Sequence, residues 1–334
     1  MPNRFAAITR VSLSVLWALA AMCACVKVEA ARERPGALED SCDYSCLTGF
    51  VDQYLKALVA HDLSQIAVTD HLKFTENTIR LKLGDGLWGT ISGMGTYKLY
   101  FADPHEGQAG WEGTIRENGT PAILLLRLKV AGNKISEVET LVHRNAESAQ
   151  ALEKLGSPNP VWLQPLEPSE QTSRKEMVRD ANLYFEGILH SSGDSVPFDP
   201  NCNRILDGYQ DTNNPTAKGW FDNGSFRPDS MGIRENMNTR IWTYIQSIDP
   251  RRYLVVDEKM GIVFGVFMFN HPGTVKWADV PGVGKVPMPA ITQRPSSVEM
   301  GEFFKIQKGT IRQIEGVSIA LPYRSLTGWE VSGR

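Results

Sequence analysis

What this chain of 334 residues lacks is a signature that names a reaction. It contains no Gly-x-Ser-x-Gly, no His-Glu-x-x-His, no phosphate loop and no dinucleotide fingerprint after a strand. Serine hydrolase, zinc protease and kinase chemistries are disfavoured on that ground. Gly84-Asp-Gly86 is too short for a phosphate site and reads as a turn ahead of Trp88. A basic excess is also missing: 35 lysines and arginines against 38 acidic residues give a net charge of −3, with no run of like charges. Nucleic acid is therefore not an expected partner. Cysteine is scarce, with five in all. The 42% hydrophobic and 22% charged residues are those of a soluble globular protein, and the length allows two domains with a core each.

The longest apolar run, Val11 to Val26, is too short and too soon followed by charge to cross a membrane. Arg4 and Arg10 precede it, and Val28-Glu-Ala30 supplies small residues for signal peptidase. Residues 1–30 read as a signal peptide, so the mature protein is expected to be secreted or periplasmic and free of the membrane. A lipid anchor through Cys23 or Cys25 is the alternative, with the bulky Met22 against it. Three cysteines then remain, Cys42, Cys46 and Cys202, and an oxidising compartment favours one disulfide and one thiol. A local Cys42–Cys46 bridge is feasible if that turn is not regular helix, and Cys46–Cys202 is the alternative. No histidine lies at ligand spacing from the pair, so no metal is expected. The sequons at Asn118 and Asn223 matter only in a eukaryotic source.

Against these absences stands a repetition. Arg127-Leu-Lys-Val-Ala-Gly-Asn-Lys-Ile-Ser-Glu-Val-Glu139 is echoed without a gap by Phe303-Phe-Lys-Ile-Gln-Lys-Gly-Thr-Ile-Arg-Gln-Ile-Glu315. Aligned on Lys129/Lys305, the pairs Val130/Ile306, Ile135/Ile311, Val138/Ile314 and Glu139/Glu315 coincide. Each copy reads as strand, Gly-bearing turn and strand, a hairpin pattern. Each also closes a block that an amphipathic helix opened. Leu47, Phe50, Val51, Tyr54, Leu55 and Leu58 make one apolar face; Met177, Ala181, Tyr184, Phe185 and Ile188 make the other. Ser173-Arg-Lys-Glu176 reads as a capping box at the start of the second helix. Between the blocks, residues 145–172 hold a short helical stretch, Ser148–Leu155, and then prolines 158, 160, 165 and 168, which make a stiff linker. Two domains are expected, 42–144 and 173–325.

Strands are expected near 73–83, 97–101, 110–116, 122–130 and 135–143, and again near 204–207, 253–257, 261–270, 298–306 and 311–321. Ile262 to Phe269 shows no polar alternation, so both faces of that strand are expected to be covered. Phe74-Thr-Glu-Asn77, Gly84-Asp-Gly-Leu-Trp88, Asp257-Glu-Lys-Met-Gly-Ile-Val-Phe264, the two opening helices and the two hairpins together resemble the nuclear-transport-factor-2-like (SnoaL-like) family. That resemblance covers most of the mature chain. It implies an α+β fold of two tandem cone-shaped barrels, each a curved sheet around helices, packed sheet to sheet as an internal pseudo-dimer, with a homodimer as a further option. It implies isomerase, dehydratase, cyclase, hydrolase, lyase or binding functions, mostly without cofactor, through one Asp, Glu or His in an apolar cone.

Fold cannot choose among these, so the question is which polar residues point inward. His271 ends the most apolar strand, in phase with Phe267 and Phe269, and aligns with Asn118; it is the candidate acid or base, or else a turn cap before Pro272. Arg204 would bind a carboxylate or stabilise an enolate, or else pair with Asp199 or Asp207 at the surface. Asn203 and Asn270 would orient a polar group, and Glu76 and Asn77 are the matching positions of the first copy, or else strand-to-turn structure. The second copy alone carries the insertion Tyr209–Asp229, a lid or binding loop whose Trp220 and Phe221 suit a planar or sugar-like ligand, or else a cover for a sheet edge. Glu139 and Glu315, kept in both copies, are expected to make inter-sheet hydrogen bonds, or else to aim a catalytic carboxylate into an apolar cavity. His61, His71 and His105 read as surface residues.

The expectation is an exported, cofactor-independent lyase or isomerase acting by proton transfer on a small apolar, aromatic or sugar-derived molecule. The rival is an exported ligand-binding or interaction protein of the same shape. A buried His271 facing a closed cavity, with a carboxylate or arginine in hydrogen-bond reach, favours the enzyme; a His271 pointing to solvent, or a cone filled completely by Phe and Met, sinks it.

Overall fold

A computed structural model describes residues 42–219, 221–222 and 226–330. The expected signal peptide, Trp220 and the Asn223 sequon lie outside the described residues. The opening helix α1 (Tyr44–Ala60) starts where Asp43 accepts the Cys46 amide proton at 2.9 Å. Cys42 therefore stands before the cap, outside regular helix, and bridges to Cys46 across a Cα separation of 5.2 Å. Cys202 is a free thiol in the core, pushed up to about 12 by burial. The alternative Cys46–Cys202 link is set aside.

Six strands follow α1: β1 (Val68–Glu76), β2 (Ile79–Arg80), β3 (Ile91–Asp103), β4 (Gln108–Glu117), β5 (Thr120–Ala131) and β6 (Lys134–His143). The expected single strand over 73–83 breaks because Asn77 and Thr78 adopt left-handed φ of 49° and 72° and fold β2 back on β1. Two short linker helices come next, α2 (Ala146–Lys154) and α3 (Pro160–Leu163), and then α4 (Arg174–His190). The box at its start is only half made, because Ser173 gives its hydroxyl proton to Glu176 at 2.7 Å and makes no side-chain cap. The second half continues with β7 (Phe198–Leu206), β8 (Tyr209–Gln210), α5 (Ile233–Asn238), β9 (Ser247–Asp257) and β10 (Ile262–His271). A small hairpin unforeseen in the sequence, β11 (Trp277–Val280) with β12 (Gly284–Pro287), precedes β13 (Ser296–Gln307) and β14 (Thr310–Leu321).

The two large sheets are α+β units of one order, β2-β1-β6-β5-β4-β3 and β8-β7-β14-β13-β10-β9. In each, the strand after the opening helix runs parallel to the last strand, and the other pairs are antiparallel. The closing hairpins turn through two residues of positive φ, Gly132 and Asn133 at 55° and 56°, Lys308 and Gly309 at 52° and 68°. Two such residues are what a two-residue hairpin turn requires, and the glycine has merely moved one place within it.

All described residues belong to one unit, with three apolar clusters. One face of each sheet packs on its own helix. The other faces share the third cluster, in which Phe101 of β3 meets Phe264 at 4.8 Å and Phe303 at 4.7 Å between ring centres. Such pairs contribute about 0.5–1.5 kcal/mol beyond area burial. Gly301 allows the close approach: a Cβ there would stand 2.0 Å from Leu125, its matched position in the first half. The linker is no free spacer, since Leu152 of α2 and Trp162 of α3 complete this cluster. Beyond β14 the chain crosses to β1, where Trp329 gives its indole proton to Thr75 at 2.9 Å and lies over Lys73 and Arg127.

The matched glutamates bond between the sheets, as expected. Glu315 accepts from the Tyr97 hydroxyl at 2.5 Å, and Glu139 accepts from Arg127 at 2.9 Å and from Arg252 of β9. Glu112 of β4 is buried beside Glu315; burial and then the Glu315 charge hold its carboxyl well above the usual range. Glu315 is itself pushed up to about 7 by burial. A carboxyl raised in the folded state stabilises fully below its ordinary range and loses that contribution as pH rises through the folded value. Urea midpoints should therefore fall between pH 5 and pH 8.5, and Glu315→Gln should flatten that fall by roughly 1–3 kcal/mol. An unchanged slope in the variant would exclude this pair as its source.

Candidate functional site

The helix-covered face of the second sheet is built mainly of hydrocarbon. Met177, Phe185, Met237, Phe267, Phe269 and Phe304 are buried on it. Into this surface α4 projects Tyr184, β7 projects Arg204 and β13 projects Glu302. Period-two alternation puts Arg204 in phase with Cys202, and Glu302 in phase with Met300 and Phe304, all core residues of that face.

These three side chains form one hydrogen-bonded chain. Arg204 Nη1 donates to the Tyr184 hydroxyl at 3.1 Å, and that hydroxyl donates to Glu302 Oε1 at 3.3 Å. The remaining edge of the guanidinium grips Asp211, with Nε at 2.9 Å from Oδ1 and Nη2 at 2.8 Å from Oδ2. The Trp242 ring lies 4.7 Å from the guanidinium carbon. Burial works against the Arg204 charge, but Asp211 and Tyr184 more than offset it and hold its pKa well above the usual value. Burial pushes Glu302 up to about 8, so it is mainly protonated at neutral pH, and its Oε2 has no partner among the described residues. An arginine, a phenol and a neutral carboxylic acid in apolar surroundings can bind an anion, stabilise an oxyanion and exchange a proton.

The first half does not repeat this. Arg204 stands opposite Ile314 and Phe74 opposite Val138, so Phe74 holds the place of Arg204. Glu302 stands opposite Gly316 and Leu126 opposite Thr140, so Leu126 holds the place of Glu302. Tyr54, the counterpart of Tyr184, accepts a proton from Trp88 Nε1 at 2.9 Å instead.

His271 ends β10 on the same face and is buried. The sheet register matches it to Glu117 and not to Asn118: His271 stands opposite Ser296, and Glu117 opposite Thr120. Asn118 lies one residue past the end of β4, in the turn to β5, whereas His271 still belongs to β10. Burial pushes His271 down to about 4, so the imidazole is neutral at physiological pH, and its Nε2 is without a partner among the described residues. Its nearest aromatic neighbour is Tyr244, edge-on at 4.9 Å. Tyr244 in turn lies 6.3 Å from Trp242 and 6.2 Å from Phe221. His271 thus reaches Arg204 through two aromatic rings and not by a hydrogen bond.

The other sequence candidates sit around this chain. Phe221 is buried in the same cluster. Asn203, in the opposite phase to Arg204, accepts from Asn213 at 2.7 Å. Asn270 ties three strands together, donating to Ser247 at 3.2 Å and accepting from Ser297 at 2.7 Å. In the first half, Glu76 accepts the Leu87 amide at 2.8 Å and Arg144 at 2.7 Å. Asn77 exchanges both amide bonds with the Val142 backbone. Arg204 pairs with neither Asp199 nor Asp207; its partner is Asp211, and Arg204 is buried while Asp211 is partly exposed.

Sequence reasoning missed Glu302, Asp211, Trp242 and Tyr244, and used Tyr184 only as a helix-face residue. For Glu302 the signal was within reach. Extending the repeat one residue upstream of Arg127/Phe303 pairs Leu126 with Glu302, an apolar residue with an acid. Among the described residues no group of three His, Cys, Asp or Glu side chains could hold a metal. Two clefts, of about 750 Å³ beside Tyr44, Tyr100 and Pro158 and about 530 Å³ beside His190 and Arg240, lie apart from the chain of polar groups.

A family model described as "Domain of unknown function (DUF8021)" matches residues 170–318, the part that carries Tyr184, Arg204, His271 and Glu302. Comparison with curated proteins gives no match. Among solved structures, a Methylobium petroleophilum PM1 protein of unknown function with a cystatin-like fold is similar at 14% identity and a TM-score of 0.26, over 49% of this chain and 85% of that one. A Jannaschia sp. CCS1 protein assigned as a SnoaL-like polyketide cyclase is similar at 12% identity and a TM-score of 0.25, over 46% and 90%. A Bacillus subtilis protein assigned as an isomerase gives 11% and 0.27, over 43% and 87%.

The contrast between halves yields a stability test. Glu302→Leu installs the first half's residue and removes an under-bonded acid, so it should leave stability equal or raise it by about 1–3 kcal/mol. Arg204→Met strands Asp211 and should cost roughly 2–4 kcal/mol. Urea midpoints read both, and an equal loss in both variants would make Glu302 ordinary scaffold.

Proposed function

We propose that the second half is the site of a cofactor-independent proton transfer on a small molecule, a lyase or isomerase reaction. The observation that supports it is the Arg204–Tyr184–Glu302 chain, set in an apolar face where the first half has Phe74 and Leu126. In this reading Arg204 and the Tyr184 hydroxyl stabilise the oxygen that gains charge. Glu302, protonated by its burial, gives and retakes the proton. His271, neutral and unpartnered, is the second group able to accept one, at the far end of the aromatic wall formed by Trp242 and Tyr244. Phe221 belongs to that wall.

The organisation goes with this reading. The halves, 42–144 and 173–325, are proposed as two domains joined by 145–172 and facing each other as an internal counterpart of a two-fold dimer. The first would be structural. The N-terminal segment directs export, and the Cys42–Cys46 bridge is compatible with an oxidising destination. The second reading, an exported ligand-binding protein without turnover, is favoured by two observations: Phe and Met side chains occupy most of the helix-covered face, and His271 has no carboxylate or arginine in hydrogen-bond reach among the described residues.

The test is a turnover screen of small phenolic, aromatic and sugar-derived compounds on the mature protein. Glu302→Gln and Tyr184→Phe should each lower kcat by about 100-fold or more with the fold intact by circular dichroism. His271→Ala should lower it as well if the imidazole is the second proton carrier. Binding without turnover, or turnover indifferent to Glu302→Gln, would move the protein to the second reading.

A further inference from the structure

Arg204 offers a planar fork, and Asp211 fills the edge of it that Tyr184 does not use. Two-point pairing of this kind is what a guanidinium makes with any carboxylate. The partners differ in how they are held. Arg204 is fixed from within by Tyr184 and the Trp242 ring, and only 5% of its side chain is exposed. Asp211 follows the two-residue strand β8, opens a segment the first half lacks, and has 20% of its side chain exposed. Removing the Asp211 side chain from the pair would leave a buried cation bounded by a tryptophan face, a phenol and a carboxylic acid.

We propose that Asp211 occupies the place of a substrate carboxylate, and that the site takes small monocarboxylates with a planar body by exchange against it. This rests on the proton-transfer reading and names its substrate class. The entering carboxylate would pair with Nε and Nη2 of Arg204, and the planar body would lie along the rings of Trp242 and Tyr244. Glu302 favours the exchange because its burial keeps it neutral and so adds no second negative charge. A monoanion replaces a monoanion, so the net charge of the buried site does not change. A phosphate dianion would leave an excess charge there.

The experiment is a calorimetric titration of the mature protein with benzoate, benzamide as the neutral isostere, and inorganic phosphate. Asp211→Asn should bind benzoate at least 10-fold more tightly than the wild type and benzamide no more tightly. Adding Arg204→Lys to that variant should remove the gain. Asp211→Ser serves the same purpose if the asparagine keeps the fork occupied. Equal gains for benzoate and benzamide, an equal gain for phosphate, or no benzoate gain in either variant would overturn the inference. The titration reads binding without turnover, so it stands or falls apart from the proton-transfer reading. Tight benzoate binding with no activity anywhere would sink that reading alone. Turnover of an uncharged substrate with no benzoate gain would sink this one alone.

Discussion

The fold depends on two sheets approaching closely enough that their facing sides share one core. Gly301 lies against Leu125 with no room for a β-carbon, and Phe101 is enclosed by Phe264 and Phe303 from the opposite sheet. With helices on the other faces, the central strands β4, β5, β10 and β13 are covered on both sides over most of their length. Any polar group on those strands is then dehydrated, and it needs a partner or a proton. Glu139 has its arginines, while Glu112 and Glu315 are raised toward the protonated form. The same constraint governs the site. Glu302 is held toward the neutral form because β13 is buried on both sides around it.

That constraint sorts the polar residues by what satisfies them. Asn77, Asn270 and Glu76 spend their bonds on turns and neighbouring strands, and the backbone there would be orphaned without them. Arg204, Tyr184 and Glu302 bond mainly to one another and to Asp211, and the chain ends in a carboxyl oxygen with no partner. A network that closes on the backbone stabilises a fold. Glu112 and Glu315 also leave a carboxyl oxygen open, but they do so between the two sheets, whereas Glu302 does so beside an arginine and a phenol on the helix-covered face.

Much of the architecture was legible because it follows from short-range rules. Helix faces came from three-and-four spacing, and each expected core residue of α4 is buried. The paired hairpins came from two-residue turns with adjacent apolar runs. The break at Asn77, the β11–β12 hairpin and the reach of Trp329 to β1 were not legible, since each depends on local left-handed geometry or on a contact across the fold. Within the site, Arg204 was visible as an isolated cation in a strand. Asp211 was not, because nothing local distinguishes the partner of a buried arginine from the other acids near it. His271 illustrates the limit of phase: alternation placed it on the correct face, but the spacing of polar groups along that face was beyond sequence reach.

The two halves together separate what the fold needs from what it merely tolerates. A sheet of this order packs well with Phe74 and Leu126 at the two positions, as the first half demonstrates. Arginine and glutamate at the matching positions of the second half therefore answer no demand of strand pairing or helix packing. They bring desolvation that hydrocarbon would avoid, and they need Tyr184, Trp242 and Asp211 around them to be tolerated. Side chains that a fold can do without, and must be rebuilt to hold, are better explained by the chemistry they offer than by the structure they support.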